Sequence, residues 1–434
     1  MDAYPAGLEV RRLAVLPAAC VTGFRGRRED DRLLTGQGRY TADWNLPGQL
    51  YGCFVRSDRA HAEILGVKVP PGLTVFTGED SAAFKTPPPM VTYPGRGGAM
   101  IQVPHRDVLA RKRVRYVGQE VALVVASSPA AAQDGAEAIE IEYRDLPAVV
   151  DAAAALEPGA PLLHDEVPGN LSFDFEYGDE KATEAAFARA AHVTRLTLES
   201  TRVSGTPLEP KACLVAFQPK DQTYDIYAPS QGMSMMLPNF TAITGVPADR
   251  IRLHARDVGG GFGIRSQAYP EYCALMLAAQ RLGKPVKWVG SRFETMVSDH
   301  HGRGARLYGE LALERDGRFL GLRVRWIVNA GAFLSQPGPL INTRNPASHA
   351  INVYRIPALY GRHLLALTNT TPTTAYRGAG RPNVSYLVER LVDEAAREIG
   401  LDRAEIRQLN FIPREAFPYK TPAGSTYDSG DPAG

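Results

Sequence analysis

Apolar and polar positions along this chain fall into short runs of two kinds, one with a period of two and one with the wider helical spacing. Leu50-Tyr-Gly-Cys-Phe-Val55 and residues 64–69 read as strands, and Glu120-Val-Ala-Leu-Val-Val-Ala126 as a strand buried on both faces. Ser128-Pro129 supplies a cap and a first-turn proline for a short alanine-rich helix. Ile139-Glu-Ile-Glu-Tyr143 then alternates as a half-exposed strand, and this strand–helix–strand unit closes a first domain near residue 150. Further on, a helix over 179–191 precedes strands at 192–199, 212–217 and 224–228. Residues 231–244 read as partly helical, with Pro238 as an interruption. A strand at 251–255 runs straight into a glycine loop, after which 269–282 reads as an amphipathic helix stopped by Gly283. Residues 304–314 and 318–328, joined through Asp316-Gly317, predict a long hairpin, and helices follow at 384–399 and 403–410. The fold class expected is α+β (mixed α/β).

Composition narrows the possibilities without choosing among them. The 434 residues give room for two or three domains, and 44% hydrophobic with 22% charged residues is ordinary globular usage. A net charge of +2 predicts no bulk attraction to nucleic acid or to a membrane surface. No apolar run approaches the roughly 20 residues of a membrane span. Arg11-Arg12 before Leu13-Ala-Val-Leu-Pro-Ala-Ala-Cys20 faintly resembles an export signal, but Pro17 and the lack of a clean cleavage site argue for the cytoplasm. The four cysteines include no CxxC pair, which points to free thiols rather than an iron–sulfur or zinc site.

The candidate chemistry centres on Val258-Gly-Gly-Gly-Phe-Gly263, which is either a plain tight turn or a loop that lets a bulky anionic ligand approach the backbone. It lacks the last glycine of a dinucleotide fingerprint, and the chain has neither a P-loop nor a Gly-x-Ser-x-Gly elbow. His300 and His301 are adjacent, cannot both face one metal from a helix, and read as solvated; His61 and His164 read as structural. Glu137 with Glu140, and Asp393 with Glu394, read as exposed faces. Gln231 upstream and Ala375-Tyr-Arg-Gly-Ala-Gly-Arg-Pro382 downstream favour the cofactor loop over the turn.

These segments, with Arg28-Glu-Asp-Asp31, Leu33-Leu-Thr-Gly36, Phe54-Val-Arg-Ser57, Ala60-His-Ala62, Tyr116-Val-Gly-Gln119 and Pro207-Leu-Glu-Pro210, resemble a known family from Gly23 to Gly430. It is the molybdenum-binding large subunit of the xanthine dehydrogenase, aldehyde oxidase and carbon monoxide dehydrogenase family. Residues 1–22 lack periodicity and read as a loose arm, and 151–168, rich in alanine and proline, as a linker; the resemblance implies an α/β hammerhead domain at 23–150 and a first molybdopterin-binding domain at 169–434. It implies that Gln231, Gly260, Gly261, Phe262, Gly263 and Arg377 hold a molybdenum–molybdopterin cofactor, in its cytosine dinucleotide form, with no direct metal ligand from the protein.

Departures from the family pattern bear on substrate. Gly378 stands where carbon monoxide dehydrogenases carry a cysteine, and Ala379 where xanthine dehydrogenases carry a phenylalanine. Ser266 replaces the purine-binding glutamate, and Asn345 falls near the second substrate arginine. Aldehyde or N-heterocycle oxidation is therefore expected, with water as oxygen source. The family subunit continues with a second molybdopterin domain that carries the base glutamate, so no catalytic residue is expected in this chain. A second chain supplying that domain, a [2Fe-2S] subunit and an FAD subunit are the implied partners. The alternative is a truncated or non-catalytic scaffold that docks the iron–sulfur and flavin partners.

Overall fold

The computed structural model describes residues 26–434; the expected arm at 1–22 lies outside them. Residues up to 39 form one unit, whose described part holds a short helix, Asp30–Leu34. Residues 40–434 form the other, built on two large sheets.

The first is a seven-stranded mixed sheet in the order Ile251–His254, Thr223–Tyr227, Ala212–Gln218, Val286–Val289, Leu50–Arg56, Glu120–Ala126, Thr74–Thr77. It crosses the expected domain border: Leu50 pairs in parallel with Val286, so strands from either side of residue 150 share one ladder. The Pro270–Leu282 helix lies against this sheet and corrects the amphipathic reading. Every residue from Pro270 to Ala279 is buried, because the helix is covered on all sides by the sheet and the Met233–Thr244 helix. That second helix continues through Pro238, contrary to the expected interruption. The carbonyl deprived of its partner belongs to Ser234, which is exposed.

The second sheet has five strands, Leu171–Gly178, Ala358–Leu367, Phe319–Gly331, Gly302–Leu313 and His192–Val203 in that order. Its centre is the expected hairpin, with Leu307 opposite Trp326 and Leu311 opposite Leu322. The Arg381–Ile399 helix covers it with Val384, Leu387, Val388, Leu391, Val392 and Ala395, a helical stripe of buried residues. Gly309 lets it sit close, since a Cβ there would lie 2.7 Å from Leu391 Cδ1. A three-stranded sheet (Arg113–Val114, Ala62–Lys68, Glu140–Asp145) completes the N-terminal region.

The expected linker is more ordered than its composition suggests. Asp151 caps a helix at Ala152–Ala155 that buries Ala152 with Ile327 and Leu364. Asn170 pins the rest, donating to the carbonyls of Ala155 and Pro161 and accepting from the Leu163 amide.

Candidate cofactor-binding site

The Ile251–His254 strand delivers the chain into the glycine loop at the edge of the seven-stranded sheet. Two glycines there are dictated by contact. A Cβ at Gly261 would sit 2.3 Å from Gln231 Cγ, and one at Gly263, where φ is +103°, 2.3 Å from the Ala375 carbonyl oxygen. Gly259 is held by Glu209, whose carboxylate accepts its amide at 2.7 Å and the Thr41 amide at 3.0 Å.

Gln231 is fastened to the loop from both ends. Its Oε1 accepts from the amides of Gly263 (2.6 Å) and Arg265 (3.2 Å), and its own amide donates to the Arg265 carbonyl at 2.9 Å. Two N–H donors fix which side-chain atom is oxygen, so Nε2 is left as a free donor among the described residues. The third segment arrives by the backbone: the Arg377 amide donates to the Phe262 carbonyl at 2.9 Å. Arg303 braces it, with Nη2 2.7 Å from the Arg377 carbonyl, Nη1 3.3 Å from the Tyr376 carbonyl and its guanidinium over the Tyr376 ring.

Three segments far apart in sequence therefore meet, through the Gln231 side chain and the backbones of Phe262 and Arg377, and all three residues are exposed. The amides of Gly260, Gly261 and Phe262 have no hydrogen-bond partner among the described residues. Phe262 is 39% exposed and Arg377 is exposed. Phe262 (φ 51°), Arg303 (φ 61°) and Ala379 (φ 48°) all hold left-handed backbone that non-glycine residues rarely adopt. Such strain persists only where the surroundings enforce it, and it gathers around functional loops.

Of the expected substrate-pocket residues, Asn345 is brought to the third segment, donating to the Ala379 carbonyl at 3.3 Å, and Gly378 and Ala379 form its turn. Ser266 turns back, its hydroxyl donating to the Gly263 carbonyl at 2.9 Å. The large cleft of about 740 Å³ between the Leu50–Arg56 strand and the Pro129–Glu137 helix contains none of these residues. The glycine-loop face is open rather than enclosed.

The histidine expectation is corrected. His300 is buried and accepts from Arg106 at 3.2 Å through Nε2; burial, with Arg106 and Lys211 nearby, drives its pKa well below the ordinary value. His301 is half-buried, because its backbone bridges to Pro372 and Thr374 as the chain turns toward the third segment. Adjacency excluded a shared metal but said nothing about burial. Also hidden from the sequence are the buried pairs Arg265–Asp299 (2.7 Å) and Lys211–Glu271 (2.5 Å), the latter joined by Arg56 at 2.8 Å. Burial alone would raise the Glu271 pKa; Lys211 and Arg56 hold it well below the carboxylate range. Periodicity reports which faces are apolar, and a buried charge breaks that pattern without naming its partner.

Comparison with known proteins defines the class to which this fold and its glycine loop belong. Residues 163–411 match the model of the molybdopterin cofactor-binding domain, and residues 35–147 that of the aldehyde oxidase and xanthine dehydrogenase a/b hammerhead domain. The chain is 35% identical over 457 residues to the carbon monoxide dehydrogenase large chain of Hydrogenophaga pseudoflava, covering 99% of this chain and 55% of that one. The crystal structure of quinoline 2-oxidoreductase from Pseudomonas putida 86 superposes with a TM-score of 0.87 at 35% identity, over 94% of this chain and 52% of that one. The nicotinate dehydrogenase large molybdopterin subunit of Eubacterium barkeri is 26% identical over 376 residues, covering 86% of this chain and 85% of that one. The chain belongs to the molybdopterin-binding large-subunit family of xanthine dehydrogenases, aldehyde oxidases and carbon monoxide dehydrogenases. It spans about half the length of the first two relatives.

Proposed function

We propose that this chain supplies one half of the cofactor cradle of a cytoplasmic molybdenum hydroxylase that oxidises an aldehyde or an N-heterocycle. The observation that carries this reading is the meeting of Gln231, Gly260–Gly263 and Arg377 on one face whose donors are left unpaired. Three successive amides, a side-chain NH2 and a guanidinium suit an anionic, oxygen-rich group, so the residues present fit a molybdenum–molybdopterin cofactor. When bound, that cofactor, in its cytosine dinucleotide form, would supply the two-electron oxidation with water as oxygen source.

The chain's own residues bind and orient. The loop amides and Arg377 take the negative charge, Gln231 Nε2 donates to an oxygen held in front of it, and Phe262 offers its ring as a wall. Gly378 provides no thiol for a copper ion, which argues against carbon monoxide as substrate despite the overall likeness. Ala379 cannot stack on a purine, and the Ser266 hydroxyl is occupied by the Gly263 carbonyl. The base glutamate and the remaining cofactor contacts would come from the family's second molybdopterin domain, and [2Fe-2S] and FAD subunits would take the electrons away.

Metal and pterin analysis with a dye-linked oxidation assay tests this. These 434 residues alone are expected to retain little pterin and to show no turnover, and to gain both when a second molybdopterin domain is supplied. Robust turnover by the chain alone would contradict it.

A further inference from the structure

Resting on the cofactor reading above, we infer that Arg265 and Asp299 are positioning residues whose buried ion pair fixes the arc of the glycine loop and, through it, Gln231 and the unpaired amides. Neither side chain reaches the open face. Arg265 is 1% exposed, and its side chain runs inward while its backbone clamps Gln231 on both sides. Nη1 lies 2.7 Å from Asp299 Oδ2, whereas Nε and Nη2 have no partner among the described residues. Asp299 therefore sets the direction of the guanidinium. Its other oxygen lies 2.7 Å from the Tyr269 hydroxyl, whose single proton it shares in competition with the Ile264 carbonyl at 2.8 Å, so Arg265 is the residue by which the carboxylate grips the loop.

Asp299 also reaches the third segment. Two residues on, His301 donates to the Pro372 carbonyl and accepts from the Thr374 amide. Gln267, two residues past Arg265, donates to the Thr374 hydroxyl at 2.6 Å. Thr374 precedes Ala375, the residue that closes on Gly263. The pair thus sits at the crossing of two of the three segments and fastens the third through Gln231. An apolar pair of equal volume would fill the space but leave the loop free to shift, whereas a charge pair in a dry interior has one favourable geometry.

Hydrogen exchange by mass spectrometry on the full chain without cofactor tests this, beside pterin retention when the chain is paired with the second domain. In Arg265→Gln, exchange over residues 229–232 and 258–266 should rise by about tenfold or more while the hairpin strands stay unchanged, and pterin retention should fall by about tenfold. Arg265→Lys should recover most of both. Loop exchange unchanged in a folded variant, or a rise spread evenly over the chain, would overturn the inference. Should Arg265→Gln not fold, the near-isosteric Asp299→Asn carries the test with the same signature. Unfolding of both would also overturn it, because the pair would then hold the core rather than the loop. A local rise in exchange with no pterin retained even by the wild type would uphold the positioning role and remove the cofactor reading.

Discussion

Beneath the Arg381–Ile399 helix, Leu307, Leu322 and Trp326 are each 1% exposed or less, and the sheet ladder pairs the backbone of the hairpin from Ala305 to Leu313. At the glycine loop the chain does the reverse. Among the described residues three successive amides are left without partners, Phe262 is 39% exposed, and three non-glycine residues hold left-handed backbone. A region that only has to be stable pairs its own backbone. A region that has to receive a ligand keeps donors in reserve and depends on neighbours such as Glu209, Arg265 and Arg303 to hold them there.

Changes on the two sides should separate in what they damage. Leu391→Ala removes a fully buried side chain under the helix and should cost about 2–5 kcal/mol of stability. Pterin retained per folded molecule should stay at the wild-type level. A loss of retention without a drop in the melting midpoint would break the comparison.

The sheet side should also carry a pH dependence of its own. His363 stacks on Trp326 at 4.3 Å, and burial pushes its pKa down to about 4. Unfolded, it titrates near 6.5, so the unfolded chain binds the extra proton between those values. Its contribution is present above about pH 6.5 and is lost as pH falls toward 4, by roughly 3 kcal/mol at most. Melting curves from pH 7 to 4.5 should fall less steeply for His363→Gln than for the wild type; equal slopes would remove His363 from the account.

Gly261→Ala sharpens the contrast from the other side. Its Cβ would press on Gln231, so about 1–3 kcal/mol of stability should go, while pterin retention falls by about tenfold or more. A variant that keeps its pterin would show that Gln231 and the loop do not act as a unit.

The same contrast explains what could be read from the sequence. The hairpin, the Arg381–Ile399 helix and the buried Glu120–Ala126 strand were legible because apolar spacing alone determines them. The Pro270–Leu282 helix was legible as a helix but not as a buried one, since its cover comes from segments on both sides of it in the chain. Leu171-Ser-Phe-Asp-Phe-Glu-Tyr177 alternates as a strand should, yet a proline- and alanine-rich stretch before it reads as linker and masks it. Gly259–Gly263 announced itself by composition, and its link to Gln231 and Arg377 came only through the family resemblance. Glu209 was marked only as part of Pro207-Leu-Glu-Pro210, and Arg265, Asp299 and Arg303 gave no signal of their own, because a charged residue in one dimension looks solvated until its partner, often dozens of residues away, is placed beside it.

The central claim is that three distant segments form one donor face for an anionic cofactor. The most direct test is the molybdenum and pterin content of the chain paired with the second molybdopterin domain, compared between the wild type and Gln231→Met. The account predicts both components in near-equal amounts with the wild-type chain, and a loss of about tenfold or more in the variant, whose melting midpoint falls by only about a few degrees for the two amide bonds it gives up. Equal content in the two proteins, or none in the wild type, would contradict it.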